Sequence, residues 1–139
     1  MKFKKTKNIL PPKKEFGDVY FIKCVDFLDA SNRRALESAI ETCMEDKPPR
    51  IVLDFTELNY MASAGANVII STLHKTRALG GDLVVMNPTG PVWDVISMLG
   101  LESELVIAPD AGAATRYFLD KDTPPSTPPG RTGAPPTAP

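Results

Sequence analysis

Two short apolar runs, Ile51 to Phe55 and Leu83 to Met86, are joined by a stretch that reads as a helix and stops at Gly80-Gly81. Runs of this length, apolar almost throughout, suit strands covered on both faces. Between them Val68, Ile69, Thr72, Leu73 and Thr76 fall on one helical face, and Lys75 and Arg77 sit in the last turns, where the helix dipole favours cations. Strand, helix and strand in this order predict a parallel pair with a right-handed crossover. A turn of small residues, Met61-Ala62-Ser63-Ala64-Gly65, separates the first strand from the helix. It brings the Ser63 hydroxyl to the helix N-terminus, where unpaired N–H groups and the dipole favour negative charge. Two readings follow. Ser63 is a helix cap and the small residues let helix and strand approach, or the site receives an anion or a phosphate esterified to that serine.

The rest of the chain extends this alternation. Val19 to Val25 is rich in β-branched and aromatic residues and predicts a strand. Asp29 or Ser31 then caps a helix whose apolar face is Leu36, Ala39, Ile40 and Cys43, and Lys47-Pro48-Pro49 ends it. After Met86, Asn87-Pro88-Thr89-Gly90 turns the chain, Pro91 opens a helix with Val92, Val95, Ile96 and Leu99 on one face, and Gly100 closes it. Trp93 falls off that stripe, as either a satellite core residue or part of a docking surface. Glu104 to Ile107 reads as a short strand, and Asp110 starts a last helix through Ala113, Ala114, Tyr117 and Phe118. Before Val19, Lys2 to Lys7 is a candidate edge strand, its lysines discouraging unwanted pairing, and Phe16-Gly17-Asp18 is a turn. The expected fold is therefore α/β: a mixed sheet of four to five strands with about four helices packed mainly on one face.

With 139 residues the chain has room for one ordinary domain. From Asp120 the composition changes: seven of the fourteen prolines lie between Pro124 and Pro139. Residues 1–119 are thus expected to form the domain and 120–139 a disordered, partly polyproline II tail. That tail is either plainly solvated or a ligand for a proline-recognising domain. The net charge of −1, without a strong basic patch, argues against nucleic acid. No apolar run approaches the roughly 20 residues of a membrane span, so a soluble cytoplasmic protein without membrane insertion is the default expectation. Cys24 and Cys43 fall at apolar positions and read as buried, reduced thiols.

Chemistry is sparse. The chain has no Gly-rich phosphate loop, and Gly80-Gly81 precedes a strand rather than a helix. His74, the one histidine, has no Cys or carboxylate cluster at metal-ligand spacing. Ser63 and His74 are eleven residues apart on one helix, roughly 16 Å along its axis and far beyond hydrogen-bond reach. Asp54 closes a strand near Ser63, but one carboxylate is not an acid–base pair. The sequence indicates no catalytic group, no cofactor and no metal.

Four stretches in order, Ile51 to Leu58, Tyr60 to Gly65, Leu79 to Val85 and Ile96 to Leu101, resemble successive signatures of the STAS domain, and Leu28-Asp29-Ala30 resembles its upstream Leu-Asp loop. The resemblance is clearest over 17–119. It implies the fold of anti-sigma factor antagonists and of the cytoplasmic part of sulfate transporters. In the antagonist branch a Met-Asp-Ser-Ser-Gly or Met-Asp-Ser-Thr-Gly turn carries the phosphorylated residue, which corresponds here to Ser63. The resemblance then implies partner switching. The unphosphorylated antagonist binds an anti-sigma factor that is also an ATP-dependent serine kinase, phosphorylation of Ser63 dissociates the pair, and a serine phosphatase resets it.

This chain departs from the pattern: Ala62 replaces the Asp, Ala64 the second hydroxyl residue, and Asp26 stands where the upstream loop often has Gly. The implied partner-binding surface comprises Met61, Ala62, Ser63, Ala64 and Gly65, then Asn67 and Ser71 on the following helix, and Asp26 and Asp29 in the loop. The alternative expectation is a phosphorylation-independent STAS scaffold or adaptor subunit of a signalling or lipid-transport complex. A third possibility, a small-molecule or nucleotide-binding domain, would show itself in calorimetry. The sequence leaves the partner, the regulated process and the oligomeric state open.

Overall fold

The computed structural model describes residues 8–16 and 18–122. The chain runs β1 (Lys13–Phe16), β2 (Val19–Leu28), α1 (Arg33–Cys43), β3 (Arg50–Met61), α2 (Ser63–Ala78), β4 (Asp82–Met86), α3 (Gly90–Met98), a 3₁₀ turn (Leu101–Ser103), β5 (Val106–Ala108) and α4 (Ala111–Asp122). The five strands lie in sequence order, β1 antiparallel to β2 and the others parallel. Each parallel strand is added beside the last in the same direction. Right-handed crossovers then lay every connecting helix on one face of the sheet.

The packing bears this out. Ile22, Leu28, Ile51, Leu53, Phe55, Leu83 and Val85 of the sheet meet Leu36, Ile40 and Cys43 of α1, Ala66, Ile69 and Leu73 of α2, and Val92 and Ile96 of α3. Helix α4 follows the last strand and is no crossover. It covers the opposite face, where Ala114 and Phe118 pack on Val19, Phe21, Val52, Val84 and Met86. The expected mixed sheet with helices mainly on one face is the observed one. Cys24 and Cys43 are buried free thiols.

Several boundaries differ from the sequence reading. The edge strand β1 follows the Pro11-Pro12 break and presents Lys13 and Lys14, while the candidate edge strand over Lys2 to Lys7 lies outside the described residues. Neither Asp29 nor Ser31 is the residue before α1. Asn32 holds that position and makes no cap bond. Its buried amide instead donates to the Phe27 carbonyl and accepts the Asp29 N–H, both at 2.9 Å. Leu99 is 46% exposed, because α3 ends at Met98 and the chain turns away. Trp93 is half-buried against the core, as a satellite residue. The last strand begins two residues later than expected because Leu101 to Ser103 form the 3₁₀ turn. Asp110 caps α4 as expected, its carboxylate accepting the Ala113 N–H at 2.8 Å. The helix continues through Asp122, past the boundary drawn at Asp120. The proline-rich segment from Pro124 lies outside the described residues.

A buried carboxylate ties the two faces together. Asp82, 2% exposed at the start of β4, accepts the Arg77 Nε at 3.0 Å, its neighbour's N–H at 2.8 Å and the Tyr117 hydroxyl. Arg77 closes α2 and also donates to the Glu104 carbonyl at 2.7 Å. Tyr117 belongs to α4. Burial, with the hydrogen bond to Asp82 next, raises the Tyr117 hydroxyl well above its ordinary value.

Candidate functional site

Strand β3 is twelve residues long and twists through two register shifts against β2 before it ends at Met61. There Leu28 pairs with Met61, and the Ala62 N–H donates to the Leu28 carbonyl at 2.9 Å. Ala62 is the residue before α2, extended at φ −93° and ψ 169°. Its carbonyl accepts the Gly65 and Ala66 N–H groups at 3.0 and 3.1 Å, which starts the helix.

Ser63 is thus the first helical residue, one position inside the cap site. An alanine cannot cap, so the helix has no side-chain cap bond. The Ser63 hydroxyl is exposed, and neither it nor the Ser63 and Ala64 N–H groups meets an acceptor among the described residues. The helix-cap reading of Ser63 is therefore set aside. Its hydroxyl projects into solvent at the positive end of a sixteen-residue helix.

The close approach that small residues allow is real and sits at Gly65. A Cβ there would lie 2.7 Å from Leu28 Cγ and 2.9 Å from Cδ2, and Leu28 is fully buried. Gly65 is the residue that lets α2 settle against the end of β2.

The residues of the implied surface divide by exposure. Asp26, Ser63, Asn67 and Ser71 are exposed, and Asp29, Ala62 and Ala64 are half-buried. Met61, 1% exposed, and Gly65 are buried beneath the turn. Asp29 is occupied locally, accepting the Ser31 N–H at 2.9 Å and hydroxyl at 2.6 Å. Asp26 has φ +69°, a left-handed conformation at the register shift between Asp26 and Phe27, which accounts for a position that often takes Gly.

Asp54, expected near Ser63, lies mid-strand and accepts the Thr56 N–H at 3.0 Å. Met61 is seven positions further on, roughly 23 Å along the strand. His74 is exposed, with Nε2 3.9 Å from Glu104.

Two contributors were not singled out from the sequence. Tyr60, 53% exposed, places an aromatic ring beside the turn. Its strand position would have flagged it had β3 been extended past Phe55. Arg33 and Glu37 of α1 line a groove of about 390 Å³ with Ala64, Asn67, Val68 and Ser71 of α2. Both fall off the apolar face of Leu36, Ala39, Ile40 and Cys43, and helical periodicity does not say which residues off that face look toward a second helix.

No described helix is long and apolar enough to cross a membrane, and the described residues contain no cluster of three metal-ligating side chains. Fold and turn together define a small α/β module built around a hydroxyl-bearing strand–helix turn. The sequence profile of the STAS domain matches residues 11–114, and the chain belongs to the STAS domain family.

Among its relatives, BtrV of Bordetella bronchiseptica, described as a candidate anti-sigma factor antagonist, is 28% identical over 102 residues, 73% of this chain and 88% of BtrV. The fold is shared with an anti-sigma factor antagonist from Mycobacterium paratuberculosis, at TM-score 0.71 and 22% identity, covering 81% of this chain and 93% of that one. It is shared too with the Bacillus protein SpoIIAA in its phosphorylated form, at TM-score 0.62 and 19% identity, covering 78% and 98%.

Proposed function

We propose that the chain is an anti-sigma factor antagonist, a regulatory binding module rather than an enzyme, switched by phosphorylation at Ser63. The observation that carries this reading is the idle Ser63 hydroxyl. It is exposed, makes no hydrogen bond among the described residues and stands at an uncapped helix end. A serine with no local structural duty there is available as a phosphoryl acceptor.

The partner is an anti-sigma factor that is also a serine kinase, met in the cytoplasm, with a serine phosphatase resetting the switch. It docks on the rim formed by Asp26, Tyr60, Ser63, Asn67 and Ser71, with Asp29, Ala62 and Ala64 between them. In the transfer Ser63 Oγ bonds to the γ-phosphorus of ATP, the bond to the ADP oxygen breaks, and the hydroxyl proton passes to a base of the kinase. The phosphate brings roughly −1.5 to −2 charges to the contact, which disfavours the complex through repulsion and desolvation.

The test is incubation with ATP and the cognate kinase followed by mass spectrometry. Phosphate at Ser63, and loss of partner binding by Ser63→Asp but not Ser63→Ala, is the expected result; phosphate elsewhere or nowhere refutes the switch. Ala62 and Ala64, in place of the acid and the second hydroxyl, favour a second reading, a scaffold or adaptor whose partner binds wild type, Ser63→Ala and Ser63→Asp alike.

A further inference from the structure

The α1–α2 groove holds a cation that the switch, as described so far, does not use. Helices α1 and α2 leave the ends of the adjacent parallel strands β2 and β3, so their first residues, Arg33 and Ser63, start from the same edge of the sheet. Arg33 lines the groove with Ala64, the neighbour of Ser63, and with Asn67, four residues on and on the same side of α2 as Ser63. Packed helices lie about 8–10 Å apart. An arginine and a phosphoserine reaching toward each other span such a gap.

In the unmodified protein the Arg33 guanidinium is occupied, among the described residues, by Glu37, one helical turn along, at 3.2 Å. Both side chains are about 40% exposed, 40% for Arg33 and 42% for Glu37. An exposed pair of this kind is weak and easily exchanged. A phosphate offers the planar guanidinium two parallel charge-assisted bonds, a stronger and more directional partner.

We infer that Arg33 is the internal receptor for a phosphate on Ser63: on modification its guanidinium leaves Glu37 and takes the phosphate oxygens across the groove. The released Glu37 carboxylate then stands unpaired in the same groove as Asn67 and Ser71. Phosphorylation therefore changes two things at once. It adds negative charge at Ser63, and it closes the groove while neutralising its cation. A partner seated across α1 and α2 loses both its space and its charge complement. This deepens the proposed switch and rests on Ser63 being the modified residue. The cation sits on α1, so helix-end electrostatics at α2 do not account for it.

The test uses the full chain with phosphoserine installed at position 63 by amber suppression, which needs neither kinase nor partner. The second ionisation of the phosphate is followed by ³¹P NMR as pH is varied, in wild type, Arg33→Gln and Arg34→Gln, with folding checked by circular dichroism. Contact with a cation holds the dianion, so the wild-type midpoint is expected about half a unit or more below that of Arg33→Gln. Arg34→Gln, which removes the same charge from the neighbouring exposed position, is expected to titrate as wild type. Equal midpoints in wild type and Arg33→Gln overturn the inference. So does an Arg34→Gln midpoint as high as that of Arg33→Gln, which would mean general charge rather than contact. If the kinase of the proposed function fails to modify Ser63, the switch falls while this measurement stands on its own.

Discussion

At the scale of single residues, the turn separates positions that hold structure from one that is free. The Ser63 hydroxyl makes no hydrogen bond among the described residues and is exposed, so Ser63→Ala removes no side-chain contact. Its stability is expected within about 0.5 kcal/mol of wild type, as for surface substitutions generally. Gly65, two residues on, is the opposite. Gly65→Ala gains helix propensity but drives a methyl into Leu28, whose Cγ and Cδ2 would be 2.7 and 2.9 Å away. Overpacking of a filled core costs about 1–3 kcal/mol, so the urea midpoint is expected to fall clearly; an unchanged midpoint would show that Leu28 can yield. Asp26→Gly should act the other way. At φ +69° an L-residue is strained by about 1–2 kcal/mol, less for Asp, which tolerates the left-handed region. A stabilisation of at most about 0.5 kcal/mol in the same assay is expected after the extra chain entropy of glycine is subtracted. If Asp26→Gly proves destabilising, the Asp26 side chain makes a contact that outweighs its strain.

Among the elements, α4 is tied to the sheet by its apolar contacts and by the bond from Tyr117 to the Asp82 cluster. Tyr117→Phe keeps the ring packed at its edge-to-face contact with Phe118 but leaves one oxygen of a buried carboxylate without its donor. The expected cost is about 1–3 kcal/mol, that of a lost hydrogen bond to a charged group. Hydrogen exchange should show α4 opening before the α1–α3 layer; equal protection losses across the molecule would show that the two layers unfold as one.

The same elements show what the sequence could and could not reveal. The buried runs of β3 and β4 and the apolar faces of α1 and α2 were legible because burial on a layered sheet imposes period and composition. Edges carry no such constraint. Strand β3 continues past Phe55 through Thr56 and Glu57, polar residues that hide a strand exposed at its rim. That hidden extension displaced the turn by one residue. It moved Ser63 from cap to first helical position, a difference no propensity resolves. Arg33 escaped notice for a related reason. A solvent-side charge acquires meaning only from the helix packed beside it, and sequence spacing within α1 is silent about α2.

For the whole molecule, the two thiols make stability respond to alkaline pH. Cys24 and Cys43 both sit in the core between the sheet and α1. Burial is the leading cause in each case, and it pushes the Cys43 thiol up to about 12 and the Cys24 thiol higher still. In the unfolded chain both ionise near about 8.5. A group raised on folding contributes stability that is complete below its unfolded value and is lost as pH rises through that value toward the folded one. The window therefore opens near pH 8.5 and, for Cys43, closes near 12. Within it each thiol removes roughly 1.4 kcal/mol per pH unit, enough for two thiols to use up the stability of a marginal domain within about two to four units. Tyr117 acts with the same sign above about pH 10. Lys14 and Lys23, raised chiefly by their hydrogen bonds to Asp46 and Glu57, share that sign too but lie at the surface, where screening leaves little effect. Urea unfolding between pH 7 and 11 should therefore show a decline that begins near 8.5. Cys43→Ala should be less stable at pH 7, from the lost sulfur packing, yet show a shallower decline that narrows the gap as pH rises. In the folded protein at pH 8 neither thiol should react with a disulfide reagent faster than the chain opens. Parallel pH profiles for wild type and Cys43→Ala, or rapid native-state labelling, would mean that the core admits solvent to the thiols and that the decline has another source.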